Sequence, residues 1–376
     1  MSFCARNARI VTGDAELLGS LRCEGAAIAS VDEGPSNTGE DFEGDYLLPG
    51  LVEIHTDNIE KHFIPRNGVQ WPAGLSAILA HDAHMTVSGV TTVLDAVSAG
   101  EFSSRRLRRE IFHASIAALE MAAGHGLLRA EHLLHIRCEM ADTGVVEMFE
   151  SVQHLPSIRL VSIMDHTPGQ RQWADVSKFK AHHSDKKWTE EQAAEEIRRL
   201  QEIQRTHAGP NRRTIIGRCR ERGLPLASHD DTTAEHSEET AAAGMRISEF
   251  PTTMDAARRA KELGLSIVMG APNVVRGGSH SGNVSALELA RRNLLDILSS
   301  DYMPASLLHA AFLLCEDLGL PLPQAMATVT RNPAQTLGLE DRGVIAPGKR
   351  ADFIRVRRVE GVPVVCGAWR EGRRIL

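Results

Sequence analysis

Aromatic residues are scarce in this chain of 376 residues: 4% in all, with two tyrosines. That scarcity disfavours a platform on which nucleobases stack. Positive charge is not in excess either. Lys and Arg number 42 against 49 Asp and Glu, a formal net charge of −7. A general nucleic-acid surface is excluded, though a local cationic pocket is not. The six cysteines, Cys4, Cys23, Cys138, Cys219, Cys315 and Cys366, form no C-x-x-C pair. A chain of this length needs no covalent staples, so they read as free thiols in a reducing compartment. The opening MSFCARNARIV has no long apolar core of a signal peptide. The most apolar stretch, about 305–315, contains His309 and is too short to span a bilayer. The expectation is a cytoplasmic protein with no nucleic-acid or membrane partner; self-association is left open.

What is present suits a globular enzyme. Hydrophobic residues make up 42% and charged residues 24%, which excludes disorder for most of the chain and supplies a core. Short β-like pieces fill residues 1–48, for example 8–12 and 26–31, and return at 352–357, 362–366 and 368–369. The two ends therefore predict one small β-domain, a β-sandwich built from 1–48 and 342–376. Between them, apolar runs of strand length alternate with helical patterns. The runs fall at 51–55, 90–97, 133–139, 158–166, 224–229, 245–250, 265–270 and 295–301. Helical patterns cover 75–87, 106–123, 143–152, 254–263 and 284–293. This is the α/β pattern of a (β/α)8 TIM-like barrel over 49–341. An open doubly wound sheet gives the same alternation, so the count alone does not settle closure. A helical insertion is expected at about 170–222, with Lys178, Lys180, Lys186 and Lys187 and a strong helix at 190–205. It reads either as a solvated hairpin or as a lid or interface element over the barrel mouth.

Seventeen histidines stand out, several beside acids. Five of the strand runs end in metal-ligand types. The first ends His55-Thr56-Asp57, and residues two apart in a strand face the same side. The third carries His135, Arg137 and Glu139 at the same spacing. The fourth ends Asp165-His166, the fifth Ser228-His229-Asp230-Asp231, and the eighth Ser300-Asp301. A single such residue is usually structural. Their joint placement at strand ends that share one mouth points to a metal site formed by His55, Asp57, Glu139, His166, His229 and Asp301. Three imidazoles, three carboxylates and no thiolate suit one or two divalent ions, zinc first, with manganese or iron as alternatives. Six ligands exceed one open tetrahedral site, so two ions bridged by Glu139, with a shared water as nucleophile, are the natural arrangement. Asp301, Glu139 and His229 are the catalytic candidates, Asp301 accepting the water's proton.

The segment LLPGLVEIH at 47–55 resembles the first barrel strand of the amidohydrolase superfamily. The tail GVIAPGKRAD at 343–352 resembles the return of that superfamily's chain to its small β-domain, and Asn332-Pro333-Ala334 fits the preceding helix. Two departures stand out: Asp57 replaces the usual second histidine, and Glu139 stands where a carboxylated lysine is common. HTDN at 55–58, SIMDHTPGQRQ at 162–172, ASHDD at 227–231 and GAPNVVRGGSHSGN at 270–283 are similar to the phosphonate-catabolic diphosphatases of this superfamily. That resemblance implies hydrolysis of α-D-ribose 1-methylphosphonate 5-triphosphate to the 5-phosphate and diphosphate, ahead of carbon–phosphorus bond cleavage.

A triphosphate needs cations and N–H donors at the mouth. Arg276, Gly277, Gly278, Ser279 and His280 form a Gly-rich turn before a helix near Val284, suited to an anion. Arg171 follows ligand His166, and Lys61, His62 and Arg66 follow the first strand; each is a phosphate contact or an ordinary surface charge. His81, Asp82 and His84 lie on the helix before the second strand and read as structural. Two alternatives remain at this point. One is an amide or cyclic-amide hydrolase on the same barrel, told apart by amine rather than diphosphate release. The other is a non-catalytic binding subunit of a phosphonate-processing assembly, which a degraded ligand set would signal; the set here is intact.

Overall fold

The computed structural model describes residues 2–66, 69–100, 106–182, 188–279 and 281–376. All eight predicted strand runs in the middle of the chain are strands: β6 (Leu51–Thr56), β7 (Val90–Ala99), β8 (Glu131–Glu139), β9 (Ile158–Met164), β10 (Leu226–His229), β11 (Ile247–Glu249), β12 (Ser266–Gly270) and β13 (Ile297–Ser299). Each pairs in parallel with the next, in sequence order from β6 to β13. Every residue of β6 and β7 is buried. Strands covered on both faces read as continuous apolar runs, which is why the pattern was visible.

The seam between β13 and β6 closes at the C-terminal rim. Thr56 bridges to Asp301, the Asp57 amide donates to the Asp301 carbonyl at 2.9 Å, and the Asp301 amide donates to the His55 carbonyl at 3.1 Å. Each strand sends one apolar residue inward, from Ile54 on β6 to Ile297 on β13. These fill the barrel as a packed layer beneath the mouth.

The first helices follow the strands: α1 (Asn58–Phe63), α2 (Gly74–Val87), α3 (Arg106–Gly124), α4 (Val145–Val152), α5 (Val176–His182) and α6 (Glu190–Arg222). The predicted 190–205 helix extends to residue 222. Thr189 and Gln192 cap it reciprocally at its start, and Gly223 ends it in the left-handed conformation at φ 65°. It holds the loops after two barrel strands. Gln201 donates to the Pro168 carbonyl, Gln204 to the Asp165 carboxylate, and Asn211 to the carbonyls of Met140 and Asp142, all at 2.9 Å. Lys186 and Lys187 lie outside the described residues, as does the Lys178 side chain.

Both chain ends build one other sheet. It contains β1 (Ser2–Val11), β2 (Glu16–Glu24), β3 (Ala27–Glu33), β4 (Glu40–Asp41), β5 (Tyr46–Pro49), β14 (Phe353–Val359), β15 (Val362–Arg370) and β16 (Arg373–Arg374). Its order is β16-β15-β14-β5-β1-β2-β3, with β4 beside β1. An Ala27–Arg350 bridge brings β3 back towards β14, so the sheet curls around Phe42, Phe353 and Trp369. Gly50 joins this sheet to the barrel, and its amide donates to the Asp352 carbonyl at 3.0 Å. A Cβ at Gly50 would lie 2.3 Å from the Thr91 hydroxyl, so only glycine fits that junction. No helix among the described residues is long and apolar enough to cross a membrane.

Candidate active site

The strand ends bring five of the six predicted ligands around one cavity: His55, Asp57, His166, His229 and Asp301 all line it. Two sets drawn wholly from the cavity lining have their ligand atoms within 4.8 Å of one another. One is His55, Asp57 and Asp301; the other is His166, His229 and Asp230. Asp230 was not among the predicted ligands. It follows β10 in a left-handed backbone conformation (φ 56°), which turns its carboxylate inward between His166 and His229, 3.6 Å from each Nε2. Asp301 adopts φ 52° at the seam. Such conformations are uncommon outside glycine and mark a constrained site.

Glu139 sits one step behind the cavity. Its carboxylate accepts from the His166 Nδ1 at 2.6 Å and from the His166 amide at 3.0 Å. Glu249, at the end of β11, does the same for two other imidazoles. It is fully buried, 3.1 Å from His55 Nδ1 and 3.3 Å from His229 Nδ1, and it accepts from the Ser162 hydroxyl at 2.7 Å. A carboxylate on Nδ1 fixes the tautomer and turns the Nε2 lone pair towards the cavity. Thus Glu139 and Glu249 together aim three Nε2 atoms at the mouth. The signal for Glu249 was an acid at the end of the sixth predicted strand run.

The field of the site favours positive charge on His55 and His166, whereas burial lowers the His229 imidazole. Burial opposes a charge on His55, but the Glu249 and Asp57 carboxylates outweigh it and raise its pKa to about 10. Burial likewise opposes charge on His166, and Glu139 and Asp230 bring it up to about 9. Burial and the neighbouring Asp57 push the Asp301 carboxyl up to about 6. Burial would raise Asp57, but the Arg137 guanidinium bonded to it holds it well below the usual carboxylate range.

The predicted phosphate contacts are placed unevenly. Ser279 lines the cavity, as do Ser281 and Asn283 beyond it. Arg276 and Gly277 are exposed, Gly278 is half-buried, none of the three lines it, and His280 lies outside the described residues. Arg171 pairs with buried Asp231 and reaches the His229 carbonyl at 3.4 Å; Gln172 lines the cavity instead. Lys61 is exposed, donates to the Tyr302 carbonyl and lies 5.4 Å from that ring. Arg66 is exposed. His135 turns away from the mouth, bonding Ser162 and, at 3.2 Å, the Ile54 carbonyl.

His81, Asp82 and His84 belong to a separate buried network. Asp95 on β7 lies 2.6 Å from His81 Nε2 and 2.7 Å from His132 Nδ1. His132 in turn contacts Asp82 at 3.3 Å, and Asp82 takes a 3.0 Å ion pair from Arg129. Asn58 caps the other end, with its Nδ2 at 2.9 Å from His81, 3.3 Å from His62 and 3.3 Å from His84. The structural reading of these residues agrees with this placement.

The amidohydrolase family model matches residues 128–358. The chain is 45% identical over 382 residues to the alpha-D-ribose 1-methylphosphonate 5-triphosphate diphosphatase of Escherichia coli (strain K12), covering 98% of this chain and 99% of that protein. An adenine deaminase of Deinococcus radiodurans is 36% identical over 128 residues, 32% of this chain and 23% of that protein. The crystal structure of dihydropyrimidinase from Brevibacillus agri NCHU1002 superposes with a TM-score of 0.65 at 15% identity, covering 100% of this chain and 95% of that one. That last likeness is one of fold. With a family match over most of its length and a near full-length relative, the chain belongs to the amidohydrolase family.

Proposed function

We propose that this chain hydrolyses α-D-ribose 1-methylphosphonate 5-triphosphate to the 5-phosphate and diphosphate in the cytoplasm, as a step of phosphonate catabolism. The observation that carries this reading is the 45% identity to a diphosphatase of that name along almost the whole of both chains. The working unit is a barrel at 49–341 carried on a small β-domain of 1–48 and 342–376, with a helical insertion at about 170–222.

The donor sets fit divalent metal ions. Each combines imidazole and carboxylate within 4.8 Å, the donor types that suit such ions. His55, Asp57 and Asp301 would hold one ion, and His166, His229 and Asp230 the other, with Glu139 and Glu249 orienting the imidazoles. Zinc suits this set, with manganese or iron as alternatives. When bound, such ions supply Lewis acidity and lower the pKa of water.

The chain's own residues do the rest. The oxygen of a water joins the α-phosphorus. The bond from that phosphorus to the α–β bridging oxygen breaks, and its electron pair leaves with diphosphate. Asp301 takes the water's proton at its carboxylate, which lines the cavity. Phe250, Pro251, Met269 and Pro272 line one side of the cavity and keep bulk water from it. Ser279, Ser281 and Asn283 offer hydroxyl and amide donors to phosphoryl oxygens.

The test is turnover by metal-reconstituted protein, with products resolved by phosphorus NMR. Ribosyl methylphosphonate triphosphate, ATP and a dihydropyrimidine are offered separately. Efficient diphosphate release from the first supports the reading. Ring opening of the dihydropyrimidine without diphosphate would overturn the substrate assignment and leave the metal centre standing.

A further inference from the structure

A triphosphate brings several negative charges into a cavity whose wall already carries Asp57, Asp230 and Asp301. Cations must answer them. Among the described residues, one Lys or Arg side chain lines the cavity: Arg137. Arg171 is committed to Asp231, and Lys61 to the Tyr302 carbonyl.

Arg137 reaches the mouth because β8 alternates. His135, Arg137 and Glu139 share its inner face. The guanidinium side chain is 12% exposed. Its Nη1 donates to Asp57 and its Nε to the Met164 sulfur at 3.3 Å. Nη2 has no protein partner among the described residues. A guanidinium tied down at Nη1 and Nε is fixed in plane and leaves Nη2 as a charged donor for a phosphoryl oxygen. Water outside would otherwise solvate that nitrogen.

We propose that Arg137 is a substrate-binding residue that grips a phosphoryl oxygen of the triphosphate, with Asp57 orienting its guanidinium. The proposal rests on the triphosphate reading above and names the cation that reading requires. Losing a charge-assisted contact of this kind costs about 10- to 100-fold in binding.

The experiment uses metal-reconstituted wild type, Arg137→Lys and Arg137→Ala. Three quantities are read: metal content, steady-state diphosphate release, and inhibition by inorganic diphosphate. Arg137→Ala is expected to keep its metal, raise KM and weaken diphosphate inhibition by at least about tenfold. Arg137→Lys should recover part of both. A residue that only holds Asp57 would lower kcat or metal content and leave diphosphate inhibition unchanged. Unchanged inhibition in Arg137→Ala at full metal content therefore overturns the proposal. If Arg137→Ala loses metal, Arg137→Lys decides: weaker inhibition at full metal content supports the proposal, and wild-type inhibition overturns it. A wild-type protein that releases no diphosphate would instead sink the triphosphate reading itself.

Discussion

Glu249→Gln is the sharpest perturbation of the metal centre, because the side chain touches no substrate and changes no volume. The carboxylate is fully buried and accepts from His55, His229 and Ser162 at 3.1, 3.3 and 2.7 Å. Glutamine keeps one acceptor oxygen and turns an NH2 towards the remaining donors. One imidazole therefore loses its charge-assisted partner, and the other keeps a neutral one. Hydrogen bonds to a charged group are worth about 1.5–3 kcal/mol and neutral ones about 1 kcal/mol. The loss in the metal-bound state is about 2–3 kcal/mol, or roughly 30- to 150-fold in the dissociation constant. The assay is competition for zinc against a chromophoric chelator, with thermal unfolding of the metal-free protein as a check on folding. A folded Glu249→Gln that binds zinc within about threefold of wild type would refute the view that this carboxylate aims the two imidazoles.

Three further outcomes follow from the geometry. Asp301→Asn should retain metal through the His166, His229 and Asp230 set while kcat falls by about 10²- to 10⁴-fold; stopped-flow turnover at matched metal content checks it. The Asp95–His132 pair should make stability pH-dependent. Burial opposes charge on His132, but Asp95 raises it from 6.5 to about 9, so its contribution is full below pH 6.5 and fades as pH rises through 9. Asp95 is held below its ordinary 3.8 despite burial, chiefly by His132, so its contribution is present above 3.8 and is lost as pH falls through the lowered value. Urea midpoints should therefore peak between about pH 4 and 6.5, and a flat profile in wild type, or an unchanged one in Asp95→Asn, would remove the pair as the cause. Arg171→Ala removes the cation paired with buried Asp231, leaving it only hydroxyl donors such as Ser228 and Thr240, and should cost about 3–5 kcal/mol of stability; near-wild-type urea unfolding with a raised KM would make Arg171 a substrate contact instead.

The barrel was legible because its strands are buried on both faces, which writes them as unbroken apolar runs such as 90–97. Closure was not, since it rests on a single backbone bridge, Thr56 to Asp301, that no local pattern encodes. Strand-end position alone gathered His55, Asp57, His166, His229 and Asp301, which line one cavity. Asp230 was passed over because a strand-end run of His-Asp-Asp does not reveal which acid turns inward; a positive φ decides it. Glu139 was placed on the right face, but not its contacts: one oxygen lies against His166 Nδ1 and the other against the His166 amide, because spacing fixes a face and not a depth. Arg137 lay in plain view on that same face. The Asp82–His132–Asp95–His81 network joins two strands and a helix, and its pairings appear only once those elements meet.

The strand Tyr46–Pro49 pairs with Phe353–Val359, and Gly50 is tied to Asp352. On the ribosome these partners emerge roughly 300 residues apart, which at about 5–20 residues per second is some 15–60 s. Throughout that interval the nascent chain carries a first barrel strand whose anchor has not yet been made. A message broken off between codons 302 and 351 therefore yields a chain with every candidate metal ligand translated and none of the C-terminal clamp on its opening strand.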